Sequence, residues 1–347
     1  MTGAAAEPIR ARPWRHATPP RRILAIRLQA LGDTIITLPY LLGVRRRYPD
    51  AELHFLTREE VAAVPRAMGH FDRVVALAGD RNRVRTWLSA ARHMPTLVGA
   101  RYDVVLDLQN SRLSNFVRRM VRPAAWSSFD RFSPRSAGER TRRTIEAALG
   151  VDARMQPAFE LRGGGPDTDA LLRRHGWKHG FDLVVLNPAG FAPSRAWPTA
   201  SYIEFARLWL ERHPRSQIVL LLLPAKRAKA TEIAAALGEH CVDLTGRADQ
   251  LAAFTIVGRA RLVLSEDGGL MHMAWTQGTP TLALFSDSRR DWSAPQGSWS
   301  DCLDSSDLPC GQCGLAVCKF GDNRCLTRYS AAEVLERAER LVRPRLT

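Results

Sequence analysis

The stretch that most constrains the fold runs from Leu262 to Phe285. The apolar run Leu262-Val263-Leu264 reaches the acidic pair Glu266-Asp267 and breaks at Gly268-Gly269. It then continues into the helix-like segment Leu270-Met271-His272-Met273-Ala274-Trp275. After Gly278-Thr279-Pro280 a second apolar run begins at Thr281. Strand, glycine turn, helix and strand in that order make a βαβ unit of a parallel sheet. The glycines let backbone N–H groups approach a ligand closely, and a helix starting just beyond them favours an anion. His272 falls in the first turn of that helix, where its side chain adds a donor to a bound phosphate. A plain crossover with a tight turn has the same pattern, so this window alone leaves both readings open.

At 347 residues the chain is long enough for two domains, each with its own core. No apolar run approaches the roughly 18 residues that span a bilayer. The longest, Ile218 to Leu223, reads as a buried parallel strand. Met1 to Arg22 is rich in Ala, Pro and Arg without periodicity and has no secretory h-region. Residues 1–20 are therefore expected to be a disordered basic lead-in, and the protein to be cytoplasmic. A net charge of +15 calls for an anionic partner: nucleic acid, an acidic membrane face or a phosphorylated substrate. Interleaved aromatics and recognised nucleic-acid motifs are lacking, which argues against the first.

Apolar runs alternate with amphipathic segments through the first half. Strands are expected at Ile23–Ile26, Leu53–Leu56, Val74–Leu77 and Tyr102–Leu108. Helices are expected at Thr34–Tyr48, bent near Pro39, and from Leu113 to Val121. Arg162-Gly163-Gly164-Gly165-Pro166 reads as a hinge, after which the pattern restarts. The second half offers strands at Leu183–Leu186, Ile218–Leu223 and Val242–Leu244. Its helices fall at Tyr202–Glu211, Ala225–Leu237 and Leu251–Val257, with a last one from Ala331 to Val342 that begins in capping-box spacing, Ser330 to Glu333. The fold class is α/β, two doubly wound Rossmann-like domains facing a central cleft: 21–162, a linker at 163–180, and 181–347. Gly-x-Gly-x-x-Gly is missing after the first strand, where Gln29-Ala30-Leu31-Gly32-Asp33 stands, and this speaks against nicotinamide.

Two further clusters carry possible chemistry. Asp33 sits at the first strand-to-helix turn, either as a modest base whose ionised form the helix end stabilises or as the cap of that helix. Asn187 to Pro198 leaves a strand, turns at Gly190 and offers Ser194 and Arg195 ahead of a helix. Arg195 is suited to clamp a diphosphate, while Trp197-Pro198 fixes the loop by packing.

Taken together, these segments resemble glycosyltransferase family 9, the heptosyltransferases of lipopolysaccharide core assembly, from about Arg21 to Val342. Ile23 to Asp33 matches the family's opening strand and Leu-Gly-Asp turn, and Asp107-Leu108-Gln109 its Asp-Leu-Gln segment. Ser194-Arg195-Ala196-Trp197-Pro198 matches Ser-Lys-x-Trp-Pro, and Asp267 to His272 matches the Asp-Ser-Gly-x-x-His phosphate loop, with Gly278-Thr279-Pro280 following at family spacing. The resemblance implies a GT-B fold and inverting transfer of heptose from ADP-heptose to an anionic glycolipid, lipid A–Kdo, with no cofactor for catalysis. It implies Asp33 as general base. Donor binding would fall to Arg195, Ser194, Gly268, Gly269, Leu270 and His272, with Asp267 holding the loop or the sugar. It makes the first domain the acceptor domain and the second the nucleotide-sugar domain, at the inner membrane surface as a peripheral protein. The chain departs from the family at Arg195, which replaces Lys, and at Gly268, which lacks a hydroxyl. It departs again at Glu266, which adds a charge expected near the phosphates, and at Leu222 to Arg227, which replaces Gly-Gly and an acidic residue. Another nucleotide sugar or acceptor on the same fold, a non-catalytic member and a basic nucleic-acid-binding protein are the competing readings.

Arg58, Arg81, Arg83 and Arg112, with Arg85, Arg118 and Arg119, fall on first-domain segments expected to flank the cleft and suit an anionic acceptor; any one of them also fits a solvated basic face. Cys310, Cys313, Cys318 and Cys325 are spaced C-x2-C-x4-C-x6-C. The reading is either a structural zinc or iron clip, similar to one carried by many family members, or free thiols.

Overall fold

The structure, a computed structural model, describes residues 9–80, 82–157, 159–189 and 196–343. The chain packs as two units, Met1–Gly164 and Gly165–Thr347. The first runs β1 (Ala11–Arg12), β2 (Arg22–Ile26), α1 (Leu31–Arg47), β3 (Glu52–Arg58), α2 (Ala63–Ala67), β4 (Arg73–Leu77), α3 (Arg83–Gly99), β5 (Val104–Asp107), α4 (Arg112–Val121), β6 (Ala125–Ser128) and α5 (Ala137–Leu149). Its sheet has the order β1-β6-β5-β2-β3-β4, parallel except for β1. The second unit runs α6 (Thr168–Arg174), β7 (Asp182–Asn187), α7 (Thr199–Arg212), β8 (Ser216–Leu220), α8 (Arg227–Leu237), β9 (Cys241–Asp243), α9 (Gln250–Arg259), β10 (Leu262–Glu266), α10 (Gly269–Trp275), β11 (Thr281–Leu284), α11 (Arg290–Ser293), β12 (Ser300–Leu303), α12 (Arg324–Thr327) and α13 (Ala331–Val342). Its sheet, β12-β11-β10-β7-β8-β9, is parallel throughout.

Strands covered on both faces must be apolar on both faces, and Ile23 to Ile26, Val184 to Leu186 and Leu262 to Leu264 are all fully buried. In each sheet the winding reverses once. The first strand to form the parallel core, β2 or β7, is flanked by β3 and β5 or by β8 and β10. Outside the carboxyl ends of β2 and β5, and of β7 and β10, each unit therefore has a switch point, the position where such sheets bind ligands. In the second unit Trp197, Tyr202, Phe205 and Trp209 form one core with Val334, Leu335 and Ala338 of α13. The capping box expected there is present: Ser330 Oγ accepts from Glu333 N at 3.2 Å, and Ser330 N donates to the Glu333 carboxylate at 2.9 Å.

Three details differ from the sequence reading. Within the lead-in, Ala11 and Arg12 pair antiparallel to β6, because that edge strand offers open ladder positions. Within the expected linker 163–180, α6 packs on α9, where Arg259 Nη1 donates to Thr168 Oγ1 at 2.9 Å and pairs with Asp169. The strand expected to reach Leu223 ends at Leu220, opposite the end of the three-residue β9; Leu223 is 73% exposed ahead of Pro224.

His70 gives the first unit a pH dependence. Its ring is buried beside Phe71 and Phe159, and Nε2 has no hydrogen-bond partner among the described residues. Burial, then the Arg45 charge, pushes its pKa down to about 3. The unfolded chain takes up this proton near pH 6.5 and the folded chain does not, so the contribution is complete above about pH 6.5. It falls by up to about 1.4 kcal/mol per pH unit as pH drops toward 3. Unfolding measured between about pH 7.5 and about pH 5 is expected to show a shallower loss for His70→Phe than for the wild type. Equal slopes would remove His70 as the cause.

Candidate active site

In the first unit the switch point is organised by a buried arginine. Arg27 follows directly on β2, and its guanidinium lies over Phe129 at 4.9 Å while Nη1 donates to the Leu108 carbonyl. Nη2 pairs with Asp33 Oδ2 at 2.7 Å. A buried cation needs such partners, and in meeting the need Arg27 fixes the carboxylate. The helix begins earlier than Thr34, with Ala30 at its N-cap, so Asp33 is not the cap expected from the sequence but the third residue of α1, reaching back to the Ala30 N–H. Oδ2 also accepts from Ala30 N at 3.2 Å, whereas Oδ1 accepts no hydrogen bond among the described residues, and the side chain is 41% exposed. The loop before it is held from β5: Gln109 Oε1 accepts from Leu28 N at 2.9 Å and from Gln29 N at 3.0 Å. Asp107, fully buried at the end of β5, accepts in turn from Gln109 N and Asn110 N. Burial pushes its pKa above the usual carboxylate range, against the pull of these donors.

A cavity of about 890 Å³ opens beside that loop, lined by Gln29, Gln109, Trp87 and four arginines: Arg58, Arg83, Arg112 and Arg131. Arg58 is committed, donating to Gln29 Oε1 at 2.8 Å and pairing with Glu60 at 2.9 Å. The guanidinium groups of Arg83, at the start of α3, of Arg112, at the start of α4, and of Arg131 have no hydrogen bond or ion pair among the described residues. Three of the four arginines expected to meet an anion thus line one cavity, and Arg81 lies outside the described residues. Arg118 serves the fold instead, stacked 3.8 Å over Trp126 with Nη2 donating to Asn115. Sequence reasoning missed Arg27 and Arg131. The signal for Arg27 was a charge closing the apolar run Ile23–Ile26.

In the second unit the Asp267-Gly268-Gly269-Leu270 turn leads from β10 into α10. Ser194 and Arg195 lie outside the described residues. Gly268 is fully extended (φ 179°, ψ 178°), and a Cβ there would meet only the Glu266 carbonyl, at 3.8 Å. Trp275 Nε1 donates to His272 Nδ1 at 2.9 Å, so the neutral ring carries its proton on Nε2. Glu266 departs from expectation. It is buried, with Oε1 accepting from Trp197 N at 2.7 Å, and beside the fully buried Tyr202, whose pKa is raised by burial and then by the Glu266 charge. One of its carboxylate oxygens thus holds the segment that leads into α7. Trp197 is fully buried and donates through Nε1 to the Tyr329 carbonyl at 3.0 Å, the packing role its sequence context implied.

The cysteine clip is not formed. Among the described residues no three His, Cys, Asp or Glu side chains are grouped to hold a metal ion, so the residues as placed do not fit a structural zinc or iron. Cys310, Cys313, Cys318 and Cys325 form no disulfide and lie on a segment folded into short turns, such as Gly311 N to Leu308 O and Gly321 N to Cys318 O. The N–H groups of Phe320, Asn323 and Gly321 hold the Cys318 pKa below the ordinary thiol value.

The model of glycosyltransferase family 9 (heptosyltransferase) matches residues 90–323. Lipopolysaccharide heptosyltransferase 1 of Pseudomonas aeruginosa is 28% identical over 332 residues, 86% of this chain and 88% of that protein. Among solved structures, a family 9 glycosyl transferase from Veillonella parvula superposes with a TM-score of 0.79 at 18% identity, covering 93% of this chain and 97% of that one. The Escherichia coli ADP-heptose lipopolysaccharide heptosyltransferase II does so at 0.70 and 19%, covering 94% and 100%. The structural likenesses establish the GT-B fold class of paired Rossmann-like units, and the family match over most of the chain establishes the kind of enzyme. This chain belongs to glycosyltransferase family 9, the heptosyltransferases.

Proposed function

We propose that the enzyme moves heptose from ADP-heptose, with inversion, to a hydroxyl of an anionic lipopolysaccharide-core acceptor of the lipid A–Kdo type. The observation that carries this reading is Asp33. Its Oδ2 is pinned by Arg27 and Ala30 N while Oδ1 is left unbonded, next to a loop whose Gln29 lines a cavity of arginines. In the step proposed, Oδ1 takes the acceptor hydroxyl's proton as its oxygen attacks the anomeric carbon from the face opposite the diphosphate. The bond from that carbon to the β-phosphate oxygen breaks, ADP leaves with the electron pair, and Asp33 later releases the proton to water. The charge gathering on ADP would be met by the N–H groups of Gly269 and Leu270, by His272 Nε2–H, and by Ser194 and Arg195, with Asp267 steadying the loop. Arg58, Arg83 and Arg112 would hold acceptor phosphates and carboxylates. In this reading residues 21–162 take the acceptor and 181–347 the donor, catalysis uses no cofactor, and the enzyme works at the cytoplasmic face of the inner membrane. The burial of Glu266, with Oε1 bound to Trp197 N, supports an active enzyme, since a buried carboxylate held by the backbone is kept from the ligand. The exposed Leu223 and Pro224 at the end of β8 favour a second reading, a different nucleotide on the same machinery.

Nucleotide release from ADP-, UDP- and GDP-sugars with a lipid A–Kdo acceptor distinguishes the two; release from a UDP-sugar alone would sink the ADP-heptose reading. Asp33→Asn is expected to lower kcat at least about a hundredfold with little change in donor KM. Wild-type turnover in that variant would exclude Asp33 as the base. Arg83→Ala and Arg112→Ala are each expected to raise acceptor KM roughly tenfold and leave donor KM unchanged, the loss of a charged hydrogen bond. Gly268→Ser restores the family hydroxyl where there is room for it, and calorimetry is expected to find ADP bound about fivefold more tightly. Weaker binding would mean that the phosphates do not lie over Gly268.

A further inference from the structure

α3 carries two apolar stripes. One, with Ala90 and Leu97, is buried in the first unit's core. The other faces outward: Val84 is 68% and Leu88 66% exposed, with Trp87 and Val98 at helical spacing along the same side. α4 packs beside α3 and extends this surface with the exposed Phe116 and Met120, the Phe116 ring lying 5.3 Å from that of Trp87. Apolar side chains at such spacing are normally turned inward, and a contiguous exposed set marks a surface that something covers. The charges around it identify the occupant. Arg83, Arg85 and Arg92 on α3 and Arg112 and Arg119 on α4 are exposed, and neither helix contains a single Asp or Glu. An acid-free cationic rim around an apolar strip, with a tryptophan at its edge, complements an anionic bilayer: side chains enter the headgroup boundary and guanidinium groups meet lipid phosphates. No described helix is long and apolar enough to cross a membrane.

We propose that the α3–α4 face seats the first unit on an anionic phospholipid surface. Trp87, Arg83 and Arg112 belong both to this face and to the cavity beside Gln29, so seating brings the cavity mouth to headgroup level. That consequence rests on the acceptor reading given above; lipid binding itself does not.

The test is co-sedimentation of the full-length enzyme with vesicles of phosphatidylethanolamine and phosphatidylglycerol, against phosphatidylcholine alone. Binding is expected to the anionic vesicles and to weaken with salt. Val84→Glu/Leu88→Glu, two exposed positions outside the cavity, is expected to lower partitioning by about tenfold or more. Arg85→Ala and Arg92→Ala should each lower it roughly fivefold. The double variant should turn over a deacylated, water-soluble acceptor at the wild-type rate and lose rate only on acceptor held in vesicles. A wild type that stays in solution with anionic vesicles, or a double variant that binds them equally well, would overturn the proposal. So would a dimer that the double variant dissociates while vesicles do not compete for the face. Vesicle binding that the double variant loses, in an enzyme that transfers no heptose to any acceptor, would leave the docking surface standing and remove the heptosyltransfer reading.

Discussion

Where a parallel sheet reverses its winding, the connections leaving two adjacent strands go to opposite faces, and the space beyond their carboxyl ends is left unfilled. Each unit has one such point, and the features able to support chemistry gather there. After β2 stand Arg27 and Asp33, and after β5 stands Gln109. After β10 comes the Asp267 to Leu270 turn. The middles of the central strands are apolar on both faces because both faces are covered. Polar function is therefore confined to the strand ends, and the two that adjoin the reversal are the ones left open to a ligand.

The two switch points share a further device. The strand across the reversal from the first one ends in a buried carboxylate, Asp107 on β5 and Glu266 on β10. Each turns one oxygen on backbone N–H groups of a loop: Asp107 Oδ1 on Gln109 and Asn110 in one unit, Glu266 Oε1 on Trp197 in the other. A loop at the mouth of a sheet has few backbone partners of its own, and charge-assisted bonds from below hold it without filling the space above. Gln109, positioned by Asp107, then ties down Leu28 and Gln29, so Asp33 is oriented through two relays that begin in the core.

Much of this was legible in the sequence for a physical reason. Strands buried on both faces read as continuous apolar runs, and those runs placed β2, β5, β7 and β10, with Asp33 and Asp267 at their ends. β6 and β12 were hidden, because Ala-Trp-Ser-Ser and Ser-Asp-Cys-Leu are too short and polar to stand out. α3 was hidden for the opposite reason: apolar residues on both its sides erase the one-sided pattern that marks a surface helix. The inward course of Glu266 was equally invisible, since the adjacent Glu266 and Asp267 look alike in sequence and only the end of the strand separates a core group from a loop group. The cysteine spacing left a metal clip and free thiols equally open, and among the described residues the local turns bring no three ligands together.

The net charge of +15 conceals a division of labour that the structure separates. Nearly all the basic residues are arginine, and a guanidinium can stack on a ring and donate to carbonyls at once, which an ammonium does poorly. Arg27 over Phe129, Arg118 over Trp126, and Arg45, which donates to the carbonyls of Pro49, Ala51 and His70, are parts of the fold. Such residues add to the formal charge while having their donors occupied. Arg83, Arg112 and Arg131 differ in that their guanidinium donors meet no acceptor among the described residues, although all three line one cavity. Like charges brought together without local acceptors repel, and that cost is offset when an anion enters. What sets these three apart from other exposed arginines is that they share one cavity, beside the loop that leads to Asp33.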